Sequence, residues 1–134
     1  MERETIQGYN IPKRELTEEE ASRPITLERF NEYHIAVGED FVDQHDPLII
    51  DHKVMAGWLL HKYPERATTI IECLNSDSWY NSLQGLQSKV YENEGDDYEW
   101  EEFYSDLAEV LNLTTIAKKR VNQILIQVAE HYNG

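Results

Sequence analysis

EWEEFYSDLAEVL, residues 99–111, is the stretch whose reading decides the fold class. Trp100, Phe103, Tyr104, Leu107 and Leu111 recur every three or four residues, which places them on one stripe of an α-helix. A half-buried strand would alternate apolar and polar residues, and this segment does not. The spacing predicts an amphipathic helix with its rings turned to the core. Glu99, Glu102 and Asp106 are expected on the solvent side, with Glu101 on a flank.

Working toward the N terminus, ENEGDD at 92–97 reads as a loop. Trp79, Leu83, Leu86 and Val90 fall at i, i+4, i+7 and i+11, one face of another helix, with NSDS at 75–78 as its turn and cap. Ala67, Ile70, Ile71 and Leu74 form a short stripe. Asp46-Pro47 is a start signal, a capping residue followed by a proline in the first turn. Apolar residues cover most of the circumference from Pro47 to Tyr63, so this helix is expected to be central and buried on several sides. A further helix begins at Thr26, with Leu27, Phe30, His34, Val37 and Phe41 as its stripe and Gly38 as a weak point. His34, lying on that stripe, reads as a core residue.

Residues 1–25 are polar, punctuated by Gly8, Pro12 and Pro24, and read as an arm lying along the body; Thr17 can cap a short EEEAS turn. Toward the C terminus, Thr114 can cap a last helix with Ala117, Val121, Ile124, Leu125, Val128 and Tyr132 on its inner side. No segment alternates like a strand. The reading is all-α: a single compact domain of five or six helices spanning 26–134, preceded by an extended N-terminal arm at 1–25.

The chain's 134 residues are 40% hydrophobic and include fourteen aromatics, enough for one core. The single cysteine, Cys73, allows no internal disulfide and lies in an apolar helical pattern, where it reads as a small buried hydrophobe. No apolar run has the length of a membrane span and no N-terminal stretch resembles a signal peptide, so the cytoplasm is the expected compartment.

The formal net charge of −14 is unevenly spread. Residues 76–113 hold ten acids against one base, Lys89. Such a field disfavours nucleic acid and acidic lipid as direct partners and attracts a basic protein surface. The expected docking surface is Glu92, Glu94, Asp96, Asp97, Glu99, Glu101 and Glu102, engaging Lys and Arg of the partner. In composition the chain resembles acidic inhibitors and immunity proteins that mimic nucleic acid. That resemblance implies a nucleic-acid-binding protein as partner and a non-enzymatic role; a homo-oligomer is compatible with it.

Two alternatives stand beside this one. DLAEVLNLTTIAKKRVNQIL, residues 106–125, resembles a helix-turn-helix. Leu107, Ala108, Leu111, Leu113 and Val121 fall at its apolar positions, and Asn112 stands in for the turn glycine. The resemblance implies a transcriptional regulator with Lys118, Lys119 and Arg120 on its second helix. Lys118 departs from the motif, which wants an aliphatic there, and the acidic first helix would face DNA phosphates. The other alternative is a metal-dependent enzyme built from His34, His45, Asp46, Asp51 and His52, with HDPLIIDH at 45–52 as its centre. His52 and His61 lie about half a turn out of phase on one helix and cannot share an ion there. HExxH, paired CxxC, GxSxG, Walker A and GxGxxG patterns are absent, and the 92–97 loop fails the EF-hand spacing because Val90 falls at its first position. No cofactor, metal or catalytic residue is expected.

Overall fold

The computed structural model describes residues 3–6, 9–12, 15–38, 41–42, 49–91 and 100–133. Seven helices have their bounds there: α1 (Glu18–Ser22), α2 (Leu27–Val37), α3 (His52–Lys62), α4 (Ala67–Leu74), α5 (Leu83–Val90), α6 (Trp100–Leu111) and α7. The last runs from Thr115–Gln123 through a π-helical turn, Ile124–Val128, into Ala129–Asn133. The helical class and the approximate helix number match expectation. One addition was not foreseen: β1 (Arg3–Ile6) and β2 (Tyr9–Pro12) pair antiparallel, Arg3 opposite Pro12 and Ile6 opposite Tyr9.

Local chemistry sets most helix starts. Thr17 and Glu20 form a reciprocal capping box on α1. Thr26 Oγ1 accepts from the Arg29 amide, Ser82 Oγ from Gly85 and Thr114 Oγ1 from Ala117, so each satisfies an orphan N–H of its helix. Helix α2 stops at Gly38, whose φ of 79° is the left-handed conformation that a C-cap glycine adopts at no steric cost.

Three expected details change. Helix α3 starts at His52 with Asp51 as its cap, its side chain accepting from the Lys53 amide at 2.8 Å. Ile50 is not helical, so no helix runs unbroken from Pro47 to Tyr63; the proposed cap-and-proline start at 46–47 lies outside the described residues. Helix α3 buries Met55, Ala56 and Leu59, while Val54 is exposed, so it buries one stripe rather than several sides. Trp79 is not on a helix: it lies in the turn before α5, 53% exposed and stacked on Tyr80. On α2 the buried rings are Phe30 and Tyr33, and His34 is exposed rather than core.

The core is one cluster threaded by aromatic contacts. Tyr33 meets Phe41, Phe41 meets Phe30, and Phe30 meets Tyr104, with centroids 5.1–5.3 Å apart. Tyr104 meets Phe103 at 5.5 Å and Phe103 meets Tyr91 edge-on at 5.3 Å. Tyr91 in turn meets Tyr63 at 6.3 Å. Each such pair is worth about 0.5–1.5 kcal/mol beyond the area it buries. The ring series therefore ties α2 through α6 to the end of α3. Behind it α5 packs on α4, and α1 packs on α7. Gly85 lets α5 close on the preceding turn, because a Cβ there would stand 2.2 Å from Tyr80 backbone atoms.

Candidate functional site

The ring series ends at a buried charge. Helix α3 stops at Tyr63 because Pro64 follows, and a residue before proline is pushed out of the helical region. Lys62 and Tyr63 thus stand at the helix end, facing α6 and the residue that follows α5, Tyr91. Between them lies Asp106, only 3% exposed.

Both Asp106 oxygens are occupied. Lys62 Nζ donates to Oδ1 at 2.5 Å, and Tyr63 Oη and Tyr91 Oη each donate to Oδ2 at 2.7 Å. Lys62 also reaches Glu109 at 3.2 Å, and Glu102 lies 3.2 Å from Tyr63 Oη. The ammonium sits 4.9 Å from the Trp58 ring centre, and the Arg66 guanidinium 4.5 Å from that of Tyr63. These contacts reverse the expected orientation of Asp106, which was outward with Glu102. Helical spacing places 106 with 103, 107 and 110 on the inner face, so the signal was present in the pattern. A carboxylate takes that position when a cation and hydroxyl donors meet it there, since an unpaired buried charge is too costly.

The same contacts set the titration behaviour. Burial opposes the Lys62 charge, but its bonds to Asp106 and Glu109 outweigh this and hold the ammonium pKa above its ordinary value. Burial, then the bond to Asp106, pushes the Tyr63 phenol up to about 12. Tyr91 is pushed up further for the same two reasons. Near neutral pH both phenols stay protonated as fixed donors. The cluster is built as a clamp that joins α3, Tyr91 and α6.

Of the seven expected docking residues, Glu101 is exposed and Glu102 half-buried; Glu92, Glu94, Asp96, Asp97 and Glu99 lie outside the described residues. Tyr91 immediately precedes that segment, and α6 follows it.

The histidine–aspartate set does not gather around one point among the described residues. His34 is exposed on α2, whereas His52 Nε2 lies 2.5 Å from Asn81 Oδ1. Asp51 caps α3, with His52 Nδ1 3.6 Å away. His45 and Asp46 lie outside the described residues. Among the described residues, no three His, Cys, Asp or Glu side chains are placed to hold a metal ion. Cys73 is buried, and burial pushes its thiol pKa up.

At 106–125 the two helices and the short turn exist. Leu107, Ala108, Leu111 and Val121 are buried, but Leu113 is 68% exposed and Ile116 85% exposed. Asn112 brackets Ile25, accepting from its N–H at 2.9 Å and donating to its C=O at 2.8 Å. Helix α1 lies against α7, held by Asn122, whose Nδ2 donates to Ala21 O and Arg23 O at 3.2 and 2.9 Å. Asn122, Lys62 and Tyr91 had no assigned role on sequence grounds, and Asn112 was read only as a turn residue.

No known family, no curated protein and no solved structure matches the chain. Among the described residues no helix is long and apolar enough to cross a membrane.

Proposed function

We propose that this is a non-enzymatic protein-binding domain that docks on a basic partner surface through the acidic segment 92–102. The supporting observation is how Lys62 is used. It stands between Asp106 and Glu109 and is bonded to both, so it is not free to neutralise acids nearer the segment. Glu101 has no cationic partner among the described residues. The clamp also fixes both flanks, Tyr91 on one side and Asp106 on the other, and fixed flanks reduce the ordering cost of binding. The finer reading follows the same chemistry: carboxylates offered in place of phosphates suit the groove of a nucleic-acid-binding protein, as an inhibitor or immunity-type protein would use it.

The test is capture of partners from the native host at low and high salt. It compares the wild type with a variant carrying Glu94→Gln, Asp96→Asn, Asp97→Asn, Glu99→Gln and Glu101→Gln. A basic protein held by the wild type, released by salt and missed by the variant is the expected result. Capture that ignores both salt and neutralisation removes the proposal. Binding of duplex DNA by the purified chain at moderate salt favours the helix-turn-helix reading of 106–125 instead.

A further inference from the structure

A second candidate site lies where α2 meets α7, around an arginine that makes no direct ion pair with a described carboxylate. Arg29 is half-buried. Its Nη1 donates to Pro24 O at 3.0 Å and to Asn122 Oδ1 at 2.5 Å, which fixes the guanidinium plane. Among the described residues no ion pair joins it to a carboxylate. Its neighbour Arg23 is already satisfied by Glu19, through Nε at 3.1 Å and Nη2 at 2.7 Å. Burial, and then the charge of Arg23, press the Arg29 pKa below its ordinary value, and the nearby charges of Glu32 and Glu19 only partly offset them.

Arg29 lines a cavity of about 210 Å³ between α2 and the π-turn of α7. Ala36, Leu125, Ile126 and Ala129 supply an apolar wall, and Glu32 also lines it. The π-turn is an independent sign, because such turns inside α-helices concentrate at functional sites. The volume is below the ~300 Å³ at which drug-sized pockets begin, so the occupant is small. Arg29 Nε and Nη2 make no hydrogen bond with any described residue, and this paired edge matches the two oxygens of a carboxylate. Glu32 disfavours a dianion such as phosphate.

The geometry points to a binding site for a small monocarboxylate with a short branched apolar body, its carboxylate on the free edge of Arg29 and its alkyl group against Ala36, Leu125 and Ala129. The carboxylate can belong to a free acid or to the C terminus of a peptide chain.

Amide-resolved NMR titration of the full chain tests this with isovalerate, isovaleramide, inorganic phosphate, and a tripeptide ending in leucine with a free or an amidated terminus. Isovalerate or the free-terminus peptide is expected to give saturable shifts at Ala36, Leu125 and Ala129. The uncharged amides and phosphate should bind at least about tenfold more weakly, the loss of one charge-assisted pair. Arg29→Met should abolish the shifts. Ala36→Phe fills the cavity and leaves Arg29 and its two bonds intact, so it should also abolish them while the rest of the spectrum stays native. Tighter binding of the peptide assigns the ligand as a chain terminus, and tighter binding of isovalerate assigns it as a free acid. Equal binding of acid and amide, equal binding of phosphate, unchanged binding by Ala36→Phe, or no saturable shift overturns the inference.

Discussion

Among the four buried polar side chains of the described residues, Asp106 and Asn122 are held by opposite means. Asp106 carries its charge inside and is met by a cation and two phenols. Asn122, with 0% exposure, is neutral and uses both ends of its amide, donating to two carbonyls and accepting from Arg29. The charged clamp needs a counter-ion, and Lys62 is committed to it. The neutral clasp needs none, so the Nε and Nη2 edge of Arg29 has no hydrogen-bond partner among the described residues. Among the described residues, the first arrangement leaves Glu101 without a cation and the second leaves Arg29 without a direct ion pair. Both functional proposals rest on those two residues of charge.

The comparison breaks most readily at Asp106. Asp106→Ala removes the acceptor from two buried phenols and a lysine and should cost about 3–5 kcal/mol in urea unfolding, the range for a broken buried pair. A loss below about 1 kcal/mol would mean the clamp is not a structural centre. Asn122→Ala should cost less, about 2–3 kcal/mol, since only neutral groups and one solvent-reachable guanidinium lose partners. Its signature is local: amide exchange should accelerate across Glu18–Ser22 while α6 stays protected, and uniform acceleration would place α1 in the same cooperative unit as the core.

Alkaline titration sharpens the contrast. Lys62, Tyr63 and Tyr91 all have folded-state pKa values raised above their ordinary ones, Tyr63 to about 12. Above about pH 10 the native state therefore holds more protons than the unfolded chain, and stability must fall as pH rises. The melting temperature should be level from neutral pH to about 9 and then decline, with a shallower decline in Tyr63→Phe. An unchanged slope in that variant would remove Tyr63 from the network. The smallest effect belongs to Glu109→Gln at the exposed rim, under about 0.5 kcal/mol, as surface ion pairs usually give.

The helical class, most of the caps and the buried rings of α6 were readable from residue pattern. Thr17, Thr26 and Thr114 cap amides three residues away, so their effect is local and visible in one dimension. Asp106 was misplaced because composition was given more weight than spacing: an acid among acids looked solvated, although its position lay between Phe103 and Leu107 and Val110. The setting of Arg29 was not legible, since its hydrogen-bond partners come from the chain before α2 and from α7.

The sequence by itself determined that this chain forms amphipathic helices, where several of them begin, and that acidic charge crowds 76–113, because backbone preference and periodicity act over a few residues. Only the tertiary structure decided which polar side chains are buried and which charges stay unmatched. The partners that settle those questions lie far along the chain, 44 residues for Lys62 and Asp106 and 101 for Asn122 and Ala21. A buried polar group is stable only where such distant partners converge on it.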